Sequence, residues 1–202
     1  MGELLTPDWK QLRPSAADVA EMWARIEVVP ASPQLQVFDE FIKRVRESHR
    51  NGGAYLAAFD VERYPVFDWF ASRNRLTDEE LLDSLLGHPS IRRSLPELFM
   101  LSPLRVKSGL AMYDQFLLDG TLARVLYSGG AHSQSPDDGR AEKVFALNVC
   151  EAMFGLRYGE VSCYLSNKRW TRWFKGEAWD ITVVVFDRRT RRLWILAITD
   201  TD

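Results

Sequence analysis

Two strand-length runs close the sequence, Trp179 to Phe186 and Leu193 to Ile198, and both are apolar on both faces. Ile181, Val183 and Val185 fall on one side of the first run, Val184 and Phe186 on the other. Successive strand side chains point to opposite faces, so such a run has no side left for water. It belongs inside a sheet covered front and back. The stretch between the runs, Asp187-Arg-Arg-Thr-Arg-Arg192, is charged and short, which makes the pair a β-hairpin. The rest of the chain must then supply two covering layers.

The first hundred residues read as helical. Ser15-x-x-Asp18 has the form of a capping box, followed by Val19, Met22, Trp23 and Ile26 on one face. Ser32-Pro33 reads as the start of a second helix, with Leu35, Phe38, Ile42 and Val45 inward and Asn51-Gly52-Gly53 as its stop. Pro65 opens a short helix carrying Phe67, Trp69 and Phe70. Thr77-x-x-Glu80 reads as another capping box ahead of Leu81, Leu82, Leu85, Leu86 and the stop Gly87. Prolines at 89, 96 and 103 allow only short turns beyond that.

After Asp119-Gly120 the pattern predicts a strand from Thr121 to Tyr127, then a polar loop from Ser128 to Gly139. A helix follows with Ala141, Val144, Phe145, Val149, Ala152 and Met153 inward, closed by Gly155. Glu160 to Leu165 reads as a strand, and Arg169 to Phe174 as a strand or an aromatic loop; residues 102–118 fit helix and strand equally. The expected fold is α+β in one domain, 1–202: a mostly helical N-terminal half (1–104) packed on a C-terminal, mainly antiparallel sheet (119–202) ending in a hairpin.

A chain of 202 residues, 46% apolar and 12% aromatic, can bury about 70% of its unfolded surface and needs no disulfide or metal for stability. Net charge is −2, which gives no global field for nucleic acid or anionic lipid. The last 37 residues are nevertheless net positive, with eight basic and five acidic side chains. Cys150 and Cys163 lie among apolar residues and read as small buried hydrophobes in a reducing compartment. No basic segment with an apolar core follows Met1, and no apolar run approaches the roughly 20 residues a bilayer requires. The expected location is the cytoplasm, away from membranes.

Three clusters invite a chemical reading. The 128–139 loop holds Ser128, His132, Ser133, Ser135, Asp137 and Asp138, yet lacks the Gly-x-Ser-x-Gly elbow of a hydrolase; as a solvated loop, its Ser135 or Asp137 would cap the next helix. Its Gly129-Gly130 pair stands too far from that helix, with two aspartates between, to cradle a phosphate. Asp180 and Asp200 stand at the open end of the hairpin, where a metal-dependent phosphodiesterase would gather carboxylates. His49, His88 and His132 have no ligand spacing, so neither metal nor cofactor is expected.

The third cluster, Lys168-Arg-Trp-Thr-Arg-Trp-Phe-Lys175, alternates cations with rings. Trp170 and Trp173 can pack on the sheet, anchor a protein interface, or stack on single-stranded nucleic acid. The leading expectation is a non-catalytic, cytosolic protein-binding module, with Lys168, Trp170, Arg172 and Trp173 as its contact residues. Small bacterial immunity proteins that neutralise a toxin by docking on it share this profile as a class analogy. Another protein is the expected partner, ahead of nucleic acid. The alternative is a hydrolase or metal-dependent phosphodiesterase using Asp180, Asp200 and His132.

Overall fold

The computed structural model describes residues 2–132 and 138–202. The C-terminal hairpin, β5 (Ile181–Asp187) and β6 (Arg192–Thr199), is the centre of a six-stranded antiparallel sheet ordered β1-β2-β6-β5-β4-β3. Every residue of β5 is buried, and all of β6 but Arg192. The two-faced hydrophobicity has its expected consequence: Val184 and Phe186 enter one core, Ile181, Val183 and Val185 the other.

β1 (Val28–Ala31) and β2 (Gly53–Val61) come from the half that the helical periodicity assigned to helices. β2 pairs with β6 from Gly53↔Thr199 to Asp60↔Arg192, completing one flank of the sheet. On the other flank stand β4 (Val161–Ser166) and the three-residue β3 (Ala111–Tyr113), which resolves the ambiguous 102–118 stretch.

One core is roofed by α1 (Ala16–Arg25), α3 (Pro65–Ser72), α4 (Leu81–Leu86) and α5 (Pro89–Ser94). Phe67 meets Phe186 edge-on at 5.4 Å, a geometry that aromatic quadrupoles favour. The opposite face is covered by α2 (Gln36–Ser48), α6 (Leu118–Ser128) and α7 (Gly139–Phe154), with Phe38 against Trp194 at 5.0 Å. No helix among the described residues is long and apolar enough to cross a membrane.

Several local expectations fail for identifiable reasons. Thr121 to Tyr127 is the body of α6, not a strand: Leu118, Leu122, Val125 and Leu126 bury a 3.6-residue stripe that overrides the β-like alternation. α2 begins at Gln36 with Leu35 at its cap, three residues beyond Pro33, because Pro30 and Ala31 are held in β1. The Ser15–Asp18 capping box forms, but Thr77 caps nothing: Glu79 and Glu80 adopt left-handed backbone angles that turn the chain into α4.

In α7 the inward face is Ala146, Val149, Cys150, Met153 and Phe154, whereas Val144 is exposed. The rotation buries Glu142, which the Arg44 guanidinium of α2 meets at 3.1 Å. A buried carboxylate of this kind needs such a cation. The α7 cap is Asp138, which accepts from the Ala141 N–H at 2.7 Å; Ser133, Ser135 and Asp137 lie outside the described residues.

Candidate functional site

Between β4 and β5 the basic aromatic segment forms an irregular loop. Buried donors and acceptors fold it back on itself. Ser166 Oγ donates to Ser108 O at 2.6 Å and accepts from the Lys168 N–H, while Asp180 accepts from the Lys175 and Gly176 amides and from Thr199 Oγ1. This inner scaffold leaves the side chains of 168–175 to divide by polarity. Trp170 turns in: it is 3% exposed and its Nε1–H donates to Thr182 Oγ1 at 2.8 Å. Trp173 wedges between Tyr55 and Phe174, at 5.5 and 4.9 Å between ring centres. Lys168, Arg169, Arg172 and Lys175 all point outward.

Of the four predicted contact residues, then, Trp170 is buried in the packing, Trp173 is half-buried against Tyr55 and Phe174, and Lys168 and Arg172 are exposed. Losing the buried Trp170 side chain would cost about 3–5 kcal/mol of stability, so its removal tests folding first.

Facing these cations is a wall that the sequence reading did not assign. Residues 99–106, which follow Pro96 and contain Pro103, run beside the loop and enclose with it a groove of about 810 Å³. The groove floor is Trp170; its rims carry Phe99, Leu101 and Val106, which are 48%, 42% and 52% exposed. Arg172 stacks on Phe99 at 3.9 Å from the ring centre. Arg105, Arg169 and Arg172 form no ion pair among the described residues. The signal that could have found this wall is the run Leu98-Phe-Met-Leu101 in a stretch too punctuated by proline to bury it all in a helix.

Phe99 has a further cost. Its backbone is left-handed, φ +52°, at the end of a short 3₁₀ turn. A bulky side chain there costs about 1 kcal/mol or more relative to ordinary backbone. An exposed ring in a strained position contributes little to folding.

The carboxylates of the alternative reading are arranged differently. Asp180 and Asp200 do come to the same end of the hairpin, but both are fully buried and neither lines the 99–106 groove. Asp200 accepts from the Asn51 N–H at 3.0 Å and the Ala131 N–H at 2.8 Å. It thereby ties the end of α2 and the start of the 128–139 loop to the sheet. Gly130 is needed for this approach, since a Cβ there would fall 2.1 Å from Asp200 Oδ2. The Gly129-Gly130 pair thus serves a close backbone contact.

His132, two residues beyond Gly130, is exposed. His49, unassigned by the sequence reading, is the histidine buried beside Asp200: desolvation pushes its pKa down, opposed by its bond to Val45 O and by the Asp200 charge. Among the described residues no three His, Cys, Asp or Glu side chains group as a metal site.

The hairpin-tip arginines are also engaged rather than merely solvated. Arg189 holds Glu160 at 2.6 Å, which keeps that carboxyl below its ordinary pKa, and Arg192 holds Asp60 at 2.9 Å. Arg188 donates to the carbonyls of Gly159 and Glu160. Arg188 follows the last residue of β5, whereas Ser166, two residues before Lys168, pairs with Thr182 near its start. A continuous basic groove through Lys168, Arg172 and Arg188 would have to run along the strand, roughly 20 Å, across buried rows.

Residues 160–202 are similar to a family model described as a family of unknown function (DUF6183). That stretch is β4, the aromatic loop and the β5–β6 hairpin; the 99–106 wall lies outside it. No curated protein matches the chain.

Proposed function

We propose that this protein is a non-catalytic module that docks on another protein through the groove between residues 99–106 and 169–172. The observation that carries this reading is Phe99: a ring kept half exposed, on strained backbone, under an unpaired arginine. Aromatic and arginine side chains that converge around a small apolar depression are the usual anchors of protein interfaces. The unpaired Arg105, Arg169 and Arg172 call for a partner that presents an apolar protrusion ringed by carboxylates. The buried free thiols fit a reducing compartment such as the cytoplasm. Toxin neutralisation by occlusion is one role such docking serves, and it is offered here by class analogy.

The alternative, hydrolysis at the open end of the hairpin, would need carboxylates that substrate can reach. Asp180 and Asp200 are instead occupied by backbone donors. Single-stranded nucleic acid would need free ring faces, and Trp170 and Trp173 are packed against protein.

Affinity capture on the intact protein from nuclease-treated native lysate, read by mass spectrometry, tests the proposal. The protein retained by the wild type should also be retained by His132→Ala, and lost with Arg172→Glu combined with Leu101→Asp. Phe99→Gly should lower retention while leaving the melting temperature unchanged or higher, because glycine accepts φ +52° without strain. Retention that survives the double variant would sink the reading.

A further inference from the structure

The outer edge of β2 is only half covered. β1 pairs with Ala58 to Val61 and then leaves at Ser32-Pro33, so among the described residues no strand lies on the outer side of Gly53 to Ala57. Backbone directions along this edge can be read from the bonds that do form. Val61 N–H donates inward to Arg191 O, whereas Glu62 N–H donates outward to Glu27 O and Ala54 O accepts from Arg46 Nε on the outer side. Even-numbered residues therefore present their amides outward, and Leu56 offers both an N–H and a C=O to the open side.

That edge opens into a cleft of about 920 Å³ between β2, the Pro30–Pro33 turn and α2. Its inner wall is Phe38 and Trp194, and the Trp194 Nε1–H is buried with no acceptor among the described residues.

α2 runs antiparallel to β2 across the cleft. Phe38 stands at the Ala58 row through Trp194, and Arg46 stands at Ala54. The helix covers about 12 Å between these points and the strand about 13 Å, so the two stay in step. The charges follow this direction: exposed Asp39 lies at the end where β1 leaves, Arg46 at the Gly53 end. Glu47 is answered by Lys43 at 4.0 Å, whereas Arg46 has no carboxylate partner among the described residues.

The geometry points to β2 as an acceptor edge for an extended peptide strand of a partner protein, entering antiparallel to β2 as a continuation of β1. The residue opposite Leu56 exchanges two backbone hydrogen bonds with it and directs an apolar side chain toward Phe38 and Trp194. An acidic residue two positions further on meets Arg46, and the positive amino terminus of the strand, opposite Ala57 where β1 leaves, lies at the Asp39 end. Main-chain bonds supply affinity in this mode and the alternate pockets supply specificity. This surface is separate from the 99–106 groove and does not depend on it.

The test is fluorescence anisotropy of a Thr-Val-Thr-Glu-Thr peptide, with a free amino terminus and a label at its carboxy terminus, on the full chain. The peptide should bind about ten-fold more tightly than its reversed sequence or a form N-methylated at valine. Arg46→Glu should weaken it about ten-fold, and replacing the peptide's Glu by Lys should restore binding to that variant. Leu56→Pro removes the outward N–H without taking a backbone bond from β6 and should abolish binding with β2 still paired to β6, as circular dichroism would verify; Arg172→Glu should change nothing. Equal binding of the N-methylated or reversed peptide, or no binding up to about 1 mM, overturns the proposal. So does a self-associated protein that Leu56→Pro dissociates, which would make a second copy the occupant.

Discussion

At the residue scale, burial decides chemistry more than identity does. Cys150 and Cys163 have their thiol pKa values pushed up to about 12, chiefly by desolvation. Thiolate is the reactive form, so neither should be labelled by a disulfide reagent at about pH 8 in the native protein, and both should react once denaturant is added. Prompt labelling of either cysteine without denaturant would contradict the packing of the core beneath α7.

His49 and His88 carry a pH dependence of known sign. Burial lowers both pKa values below the ordinary 6.5; for His88 a bond to Ile26 opposes it, and the Arg93 charge adds to it. Each histidine is neutral in both states at high pH. As pH falls through 6.5 the unfolded chain takes up protons first, so stability is complete above that value and is lost below it. The urea midpoint should therefore fall between about pH 7.5 and pH 5.5, and His49→Gln should remove a large part of that slope. Asp18 and Glu160, whose pKa values are lowered from 3.8 and 4.5, act only in a more acidic window.

At the scale of elements, the two ends of the hairpin are fixed by different means. The tip is held by arginine–carboxylate pairs, the open end by buried aspartates that accept backbone amides. The open end also relies on Gly52, where a Cβ would meet Thr199 O at 1.9 Å and Asp200 Cα at 2.7 Å. Both obstacles are backbone, so neither can swing aside. Gly52→Ala should cost roughly 1–3 kcal/mol, a drop of about 2–10 °C in melting temperature by calorimetry. A neutral result would mean that β2 and β6 do not meet there as described.

Elements also mark where local pattern loses to packing. The Thr121–Tyr127 alternation yields to the stripe of α6, and β2 was hidden because Ala54, Ala57 and Ala58 have no strand propensity of their own. Of these, Ala58 pairs with Trp194 and, with Ala54, shares its face of the sheet, which leaves the indole room to line the cleft beside α2.

For the whole molecule, a doubly covered hairpin implies a gradient of stability from the middle of the sheet outward. Native-state amide exchange should be slowest in Val183 to Val185 and Leu193 to Ile198, and fast in β1 and β3, which have four and three residues and one neighbouring strand each. Early exchange in β6 would place the centre of the structure elsewhere.

What the sequence determined alone was the interior: strands without a polar face must be covered twice, and the hydrophobic effect acts wherever such a run is found. It also determined that the 168–175 cations reach water, since their charges cannot be buried unpaired. The tertiary structure alone decided that Trp170 is a floor rather than a contact, that Asp180 and Asp200 hold backbone, and that residues 99–106 and the open half of β2 are surfaces. Each of these turns on which distant segment lies alongside, and periodicity along one stretch of chain carries no term for its neighbours in space.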